Sequence, residues 1–266
     1  MKITEEIKTK LQSYDSIEER FDFIRGMFKD DTAYLISCGP SLTTHDKDIL
    51  NKKLKNKLVL CAKQSLNYLN NICDFHLVST YNCQTYEYKN PNTIKSWQLT
   101  AMNMENELNR IMYEMKQEID LYFPVISGPW ITLEGSTAYT RKFDNWKMLA
   151  NETQVMWGPG ILYESGFPLC YLLGVKKIVT IGWDIGNLSK YNGSERDNEW
   201  FKQHSTDLYK EGSYTGKGPS YTELKNTIEC TTAMYDWFKK ENIEVNILSD
   251  ENPADDRFKR ITIGDL

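Results

Sequence analysis

A short apolar run in this chain, Tyr34-Leu35-Ile36, breaks off into Ser37-Cys38-Gly39-Pro40-Ser41-Leu42. A strand cannot continue through that proline, and the glycine lets backbone come close to another group. A helix-like stretch, Asp46–Leu54, follows. Strand, tight Gly-Pro-Ser turn and helix is a layout that aims backbone N–H groups at a phosphate. Gly39, Pro40 and Ser41 are therefore candidate nucleotide contacts, with the Ser41 hydroxyl reaching phosphate or ribose. The competing reading is a plain strand-to-helix turn in which Ser41 caps the helix.

Other residues suit the same kind of ligand. An apolar strand ends in Ile181-Gly182-Trp183-Asp184. A carboxylate at the carboxyl end of a parallel strand binds ribose hydroxyls or a metal, or it caps its own loop. Tyr81-Asn82 follows the apolar run Phe75–Ser79, and the Asn82 amide is placed to read a base or a phosphate, or to support its turn. His204 lies in a polar stretch, where an exposed imidazole titrates near neutrality and can act as a general base. His76 sits in an apolar strand and reads as a satisfied core histidine, and His45 reads as part of a helix entry. Ser165 and Gly166 precede Pro168, which does not sit unstrained deep in a helix. Either the helix kinks there, or it starts near Ser165 and presents its N-terminus to the ligand.

The elements that must position these groups follow an alternating pattern. Strands are expected at Ala33–Ser37, Leu58–Cys61, Phe75–Ser79, Leu121–Ile126, Lys177–Ile181 and Val245–Leu248. Helices are expected at Asp46–Leu54, Met104–Ile119, a segment ending at Leu173, and Tyr221–Glu241. Met104, Leu108, Ile111, Met112, Met115 and Ile119 make a core-facing helical stripe. Residues 1–31 form a helical N-terminal extension, with a capping box at Ser16 and Glu19. Short apolar strands alternating with helices predict an α/β fold with a mainly parallel sheet covered on both faces, residues 32–266 making one domain. Irregular stretches near 80–97, 127–160 and 182–220 are long enough to be lids, and they are rich in Trp, Tyr, Asn and Gly.

Composition narrows the function. The net charge is −5, without a basic tail, the opposite of a sequence-independent nucleic-acid binder. No apolar run approaches the ~20 residues that span a bilayer, and the polar N-terminus does not read as a signal peptide. The six cysteines show no CxxC spacing and read as free thiols of a reducing, cytoplasmic compartment. Scattered histidines give no zinc pattern. Exposed aromatics in the N-terminal helices would suit a homo-oligomer.

In combination, these motifs resemble the bacterial sialyltransferases of glycosyltransferase family 42. They also resemble the related motility-accessory-factor family, which glycosylates flagellin and shares a domain with an archaeal hydroxymethylpterin pyrophosphokinase. The marks are Gly39-Pro40-Ser41-Leu42, Tyr81-Asn82, Leu173-Gly174 followed by Gly182-Trp183-Asp184, and Tyr214-Thr215-Gly216 before the last long helix. They stand in the family's order across roughly Ala33–Asn252. The resemblance implies a Rossmann-like, GT-A-like single domain. It also implies metal-independent transfer from a CMP-activated nonulosonic sugar to a glycan or protein acceptor, with no further cofactor. Gly39, Ser41, Asn82 and Asp184 would surround the nucleotide, the Ser165-Gly166 region would add a contact, and Tyr191 would stabilise the leaving phosphate.

The chain departs from that pattern at several positions. The sialyltransferases carry Asn immediately before Gly-Pro-Ser, where this chain has Cys38. A second family Asn falls at Ala62, beside Lys63, and the first leaving-group tyrosine falls at Gly186. The family's base histidine falls at Ser213, so His204, or a carboxylate such as Glu211, would have to take the proton. Two other readings use the same fold. One is a pyrophosphokinase-like enzyme with Mg²⁺ and ATP, and the other is a catalytically silent nucleotide- or glycan-binding protein.

Overall fold

The structure is a computed structural model of the 266-residue chain. It describes residues 1–79, 85–100, 103–126, 137–148, 155–156, 160–185, 221–249 and 252–266. Its centre is a sheet of nine strands: β1 Thr32–Ile36, β2 Leu58–Ala62, β3 Phe75–Ser79, β4 Ile94–Thr100, β5 Leu121–Ile126, β6 Val155–Met156, β7 Lys177–Ile181, β8 Glu244–Leu248 and β9 Lys259–Arg260. The spatial order is β6-β5-β4-β3-β2-β1-β7-β8-β9, and every neighbouring pair is parallel. The chain steps outward from β1 in one direction as far as β6, then returns to the other side of β1 with β7. The reversal makes the gap between β1 and β7 the topological switch point, where ligands of such sheets bind beyond the carboxyl ends.

Both faces are covered, as an all-parallel sheet requires. On one face Leu35, Leu60, Phe75, Leu77 and Ile178 pack against the two N-terminal helices, the helical run before β7 and the long helix Tyr221–Lys240. On the other, Ile36, Cys61, Val78, Trp97, Val179 and Ile181 pack against helix Lys47–Leu54 and its neighbours. The fold is thus the expected Rossmann-like α/β one. Among the described residues, no helix is long and apolar enough to cross a membrane.

Residues 1–31 pack into this core. The helices are Glu5–Gln12 and Ile17–Ile24, and the second opens with the expected capping box of Ser16 and Glu19. Their Leu11, Phe21 and Ile24 are buried, as is Phe28 beyond them. Gly26, Phe28 and Asp30 donate backbone N–H groups to the carbonyls of Leu172, Leu173 and Gly174. The Lys2 ammonium meets the fully buried Asp74 carboxylate at 2.6 Å, and Asp74 also accepts from the N–H groups of Ile3 and Val59. Phe21 and Phe28 are core residues that cover the sheet face next to Phe123 and Phe75.

Other elements differ from the sequence reading. β4, β6 and β9 were not expected, and β4 occupies the end of a segment read as a lid. Trp97 and Trp146, in segments read as lid loops, are buried. The stretch expected as one helix from Met104 to Ile119 is helical only over Met104–Asn109, then winds as a π-turn through Arg110–Glu114. The wider turn rotates the stripe, so Met112 is 49% exposed while Met104, Leu108 and Met115 pack inward.

His76 is the satisfied core histidine the sequence suggested. Lys63 O, at 2.9 Å, can only accept, so Nε2 carries the proton and Nδ1 accepts from the Tyr88 hydroxyl at 2.8 Å. Burial pushes its pKa down to about 4. Between pH 6.5 and 4 the unfolded chain then binds a proton that the folded chain does not, so stability falls on acidification. At ~1.4 kcal/mol per unit, His76 accounts for a loss of about 3 kcal/mol across that window. Urea unfolding at pH 7 and pH 5 should show a clearly shallower loss for His76→Gln than for the wild type. Equal losses would refute this assignment.

Candidate functional site

The carboxyl ends of β1 and β7 stand side by side, with Ile36 opposite Ile181. Each strand runs straight into a glycine-bearing turn. Ser37 N–H donates to Ile181 O at 2.7 Å, and Gly39 N–H to Gly182 O at 3.0 Å, so the sheet pairing continues past both strands. The backbones come so close that neither glycine tolerates a side chain. A Cβ on Gly39 would lie 2.4 Å from Gly182 O, and one on Gly182 would lie 2.5 Å from Ser37 O. Gly182 also has φ +70° and Ile185 has φ +59°, so the backbone on both sides of Trp183-Asp184 is left-handed. That conformation is routine for glycine and an outlier for a β-branched residue.

Asp184, only 6% exposed, turns back across this crossing. One carboxylate oxygen accepts from Ser41 N–H at 2.7 Å, and the other accepts from the Ser41 hydroxyl. Pro40–Thr44 is a 3-10 turn with Pro40 in its first turn, and Leu42 N–H closes it on Gly39 O at 3.1 Å. The N–H groups of Gly39, Ser41 and Leu42 are thus all committed within the protein. Ser41 does not cap the following helix. Asp46 does, accepting from Asp48 and Ile49 N–H groups at 2.9 Å, so the helix begins at Lys47 rather than at the turn. The Tyr68 hydroxyl donates to His45 O, which places His45 in the helix entry as expected.

The second helical candidate also resolves. Ser165 and Gly166 do not open a helix. They lie inside a buried helical run whose first part, Leu162–Gly166, is a π-turn, with Phe167 N–H donating back to Leu162 O. A π-turn immediately before Pro168 lets the run continue although proline disrupts the i−4 bonding of an ordinary helix. The Ser165 hydroxyl donates to Ile161 O at 2.9 Å. Gly166 lets the helix rest on β1, since a Cβ there would stand 3.3 Å from Leu35.

Sequence reasoning missed a buried pair on the same run. Glu164, 3% exposed, accepts from the Gln98 amide of β4, whose own Oε1 finds no partner among the described residues. A carboxylate within an otherwise apolar Ile-Leu-Tyr-Glu-Ser-Gly-Phe stretch was the available signal. Lys63 at the end of β2 is a further strained residue, with φ +53°. Asn82, Tyr191 and His204, and with them Gly186, Glu211, Ser213 and Tyr214-Thr215-Gly216, lie outside the described residues. Of the cysteines, Cys38 is half-buried beside the turn, and Cys61, Cys73, Cys170 and Cys230 are buried thiols outside any disulfide among the described residues. Among the described residues, no group of His, Cys, Asp and Glu has the makings of a metal site.

No family model matches this chain, and no curated protein matches it. Among solved structures it is similar to the Maf glycosyltransferase from Magnetospirillum magneticum AMB-1, with a TM-score of 0.50 at 10% sequence identity. The match covers 100% of this chain and 39% of that one, so this chain spans about two fifths of that protein's length. At this identity the likeness is one of fold alone.

The crossing predicts an order of damage measurable by urea unfolding. Asp184→Ala strands the Ser41 N–H and should cost about 1–3 kcal/mol, and Asp184→Asn less, because an amide oxygen can still accept. Gly182→Ala adds steric overlap to left-handed strain and should cost roughly 2–5 kcal/mol. Gly26→Ala, also at positive φ but with open space around it, is the control, at about 1–2 kcal/mol. Equal losses at the two glycines would mean that the close approach contributes nothing.

Proposed function

We propose that this chain is a glycosyltransferase-like enzyme that transfers a sugar from a nucleotide-activated donor to a glycan or protein acceptor. One observation carries the reading. Two glycine turns meet at the switch point of an all-parallel sheet whose fold is shared with a Maf glycosyltransferase. That crevice is where open α/β sheets hold nucleotides. The Ser41–Asp184 brace fixes the position of its wall. The Ser41 hydroxyl oxygen keeps acceptor capacity after donating to Asp184, which suits a ribose or sugar hydroxyl.

The finer reading takes a CMP-activated nonulosonic sugar as donor, and it rests on the ordered motifs. An acceptor hydroxyl oxygen attacks the anomeric carbon, the bond from that carbon to the phosphate oxygen breaks, and CMP leaves with the bonding electrons. Tyr191 stabilises the departing phosphate, Asn82 contacts the nucleotide, and His204 takes the proton from the acceptor. No metal is required for this displacement.

A thermal-shift panel of CMP, CDP, UDP, GDP and ATP, with and without Mg²⁺, tests the proposal. CMP at 100 times its Kd should add about 2.7 kcal/mol of stability, independent of Mg²⁺. His204→Ala should keep that shift and lose transfer. Stabilisation by Mg²⁺-ATP alone would replace the reading with the pyrophosphokinase-like one. A folded protein that responds to no nucleotide would overturn it.

A further inference from the structure

Away from the switch point, a groove of about 810 Å³ runs between the helix Lys47–Leu54 and the segment Thr85–Lys89. We infer that this groove binds an anionic oligosaccharide. Its lining holds five lysines against two acids, in a chain whose net charge is −5. Lys2 does not count toward the excess, because the buried Asp74 carboxylate neutralises it. Lys52, Lys55 and Lys89 are exposed, and among the described residues none of them has a carboxylate partner.

Helix electrostatics explain only part of this lining. Lys52, in the last turn of its helix, complements the helix dipole. Lys47 opens the same helix, where a cation is disfavoured, and its ammonium instead donates to Asn67 O at 3.2 Å and lies 5.5 Å from the Tyr68 ring centre. Lys89 comes from the facing loop and has no helix to serve. A cleft of this size falls in the range of small-ligand sites, unlike the flat or convex patch that a membrane or a duplex engages. Exposed amides of Asn56 and Asn71 and the Tyr68 ring suit sugar hydroxyls and sugar faces.

The choice of a sugar partner rests on the glycosyltransferase reading, but its test does not use nucleotide. The full chain is titrated calorimetrically with α-1,4-linked galacturonic acid tetramer and with neutral maltotetraose, at low salt and at physiological salt. The acidic tetramer should bind and weaken with salt, and maltotetraose should not bind. The K52E/K55E/K89E variant, altered only at exposed positions, should melt like the wild type and lose roughly tenfold or more in affinity. Its response to CMP should be unchanged, so failure of the groove and failure of the nucleotide site are read separately. Equal binding of the two tetramers, no binding of the acidic one, or full affinity in the variant would overturn the inference. Tighter binding of a single-stranded oligothymidylate or of phosphatidylserine vesicles would also overturn it, in favour of nucleic acid or membrane.

Discussion

Two backbones cross at the carboxyl ends of β1 and β7 with no room for a side chain between them. That close approach holds the rest of the site. It brings Gly39 within hydrogen-bonding distance of Gly182 and lets the Asp184 carboxylate reach over the crossing to both donors of Ser41. A nearly buried carboxylate is tolerable only where donors meet it, and here one residue supplies two. The brace sets where the Pro40–Thr44 turn sits, and the turn sets where the next helix begins. Gly39, Ser41, Gly182 and Asp184 thus hold one another across the crossing.

Much of the fold was legible because buried parallel strands are written as short apolar runs. Leu58–Cys61, Phe75–Ser79 and Lys177–Ile181 could be read directly for that reason. β4 could not, since Lys95, Ser96 and Gln98 interrupt its apolar character. Ser96 and Gln98 are buried, and Gln98 meets Glu164, a polar pairing across the core that no local pattern announces. Met112 was misread for a different reason. A π-turn changes the angular step between residues, and a period of 3.6 cannot foresee it. At the site, the sequence marked Gly39, Gly182 and Asp184 as special but left their use open. A glycine at a strand end signals close approach without naming the partner, and here the partner is another strand's backbone. Ser165-Gly166 carried the same ambiguity, and Gly166 proves to be the contact between a helix and β1.

The site and the lysine-lined groove lie at opposite ends of one continuous segment. The Pro40–Thr44 turn faces the switch point, Asp46 caps the next helix, and that helix carries Lys47, Lys52 and Lys55 along the groove. Tyr68 ties the junction by donating to His45 O while its ring lies near the Lys47 ammonium. The turn and the groove wall are thus adjoining parts of one segment, held together at Tyr68.

The Ser41–Asp184 contact joins residues 143 apart in the chain. On a ribosome adding about 5–20 residues per second, Asp184 emerges roughly 7–30 s after Ser41. During that interval β1 can pair with β2, but its other edge has no neighbour, since β7 has not been made. The nascent protein must carry an open strand edge and an unbraced turn through most of its synthesis. The crevice between β1 and β7 can close only after all six strands on the other side of it have been made.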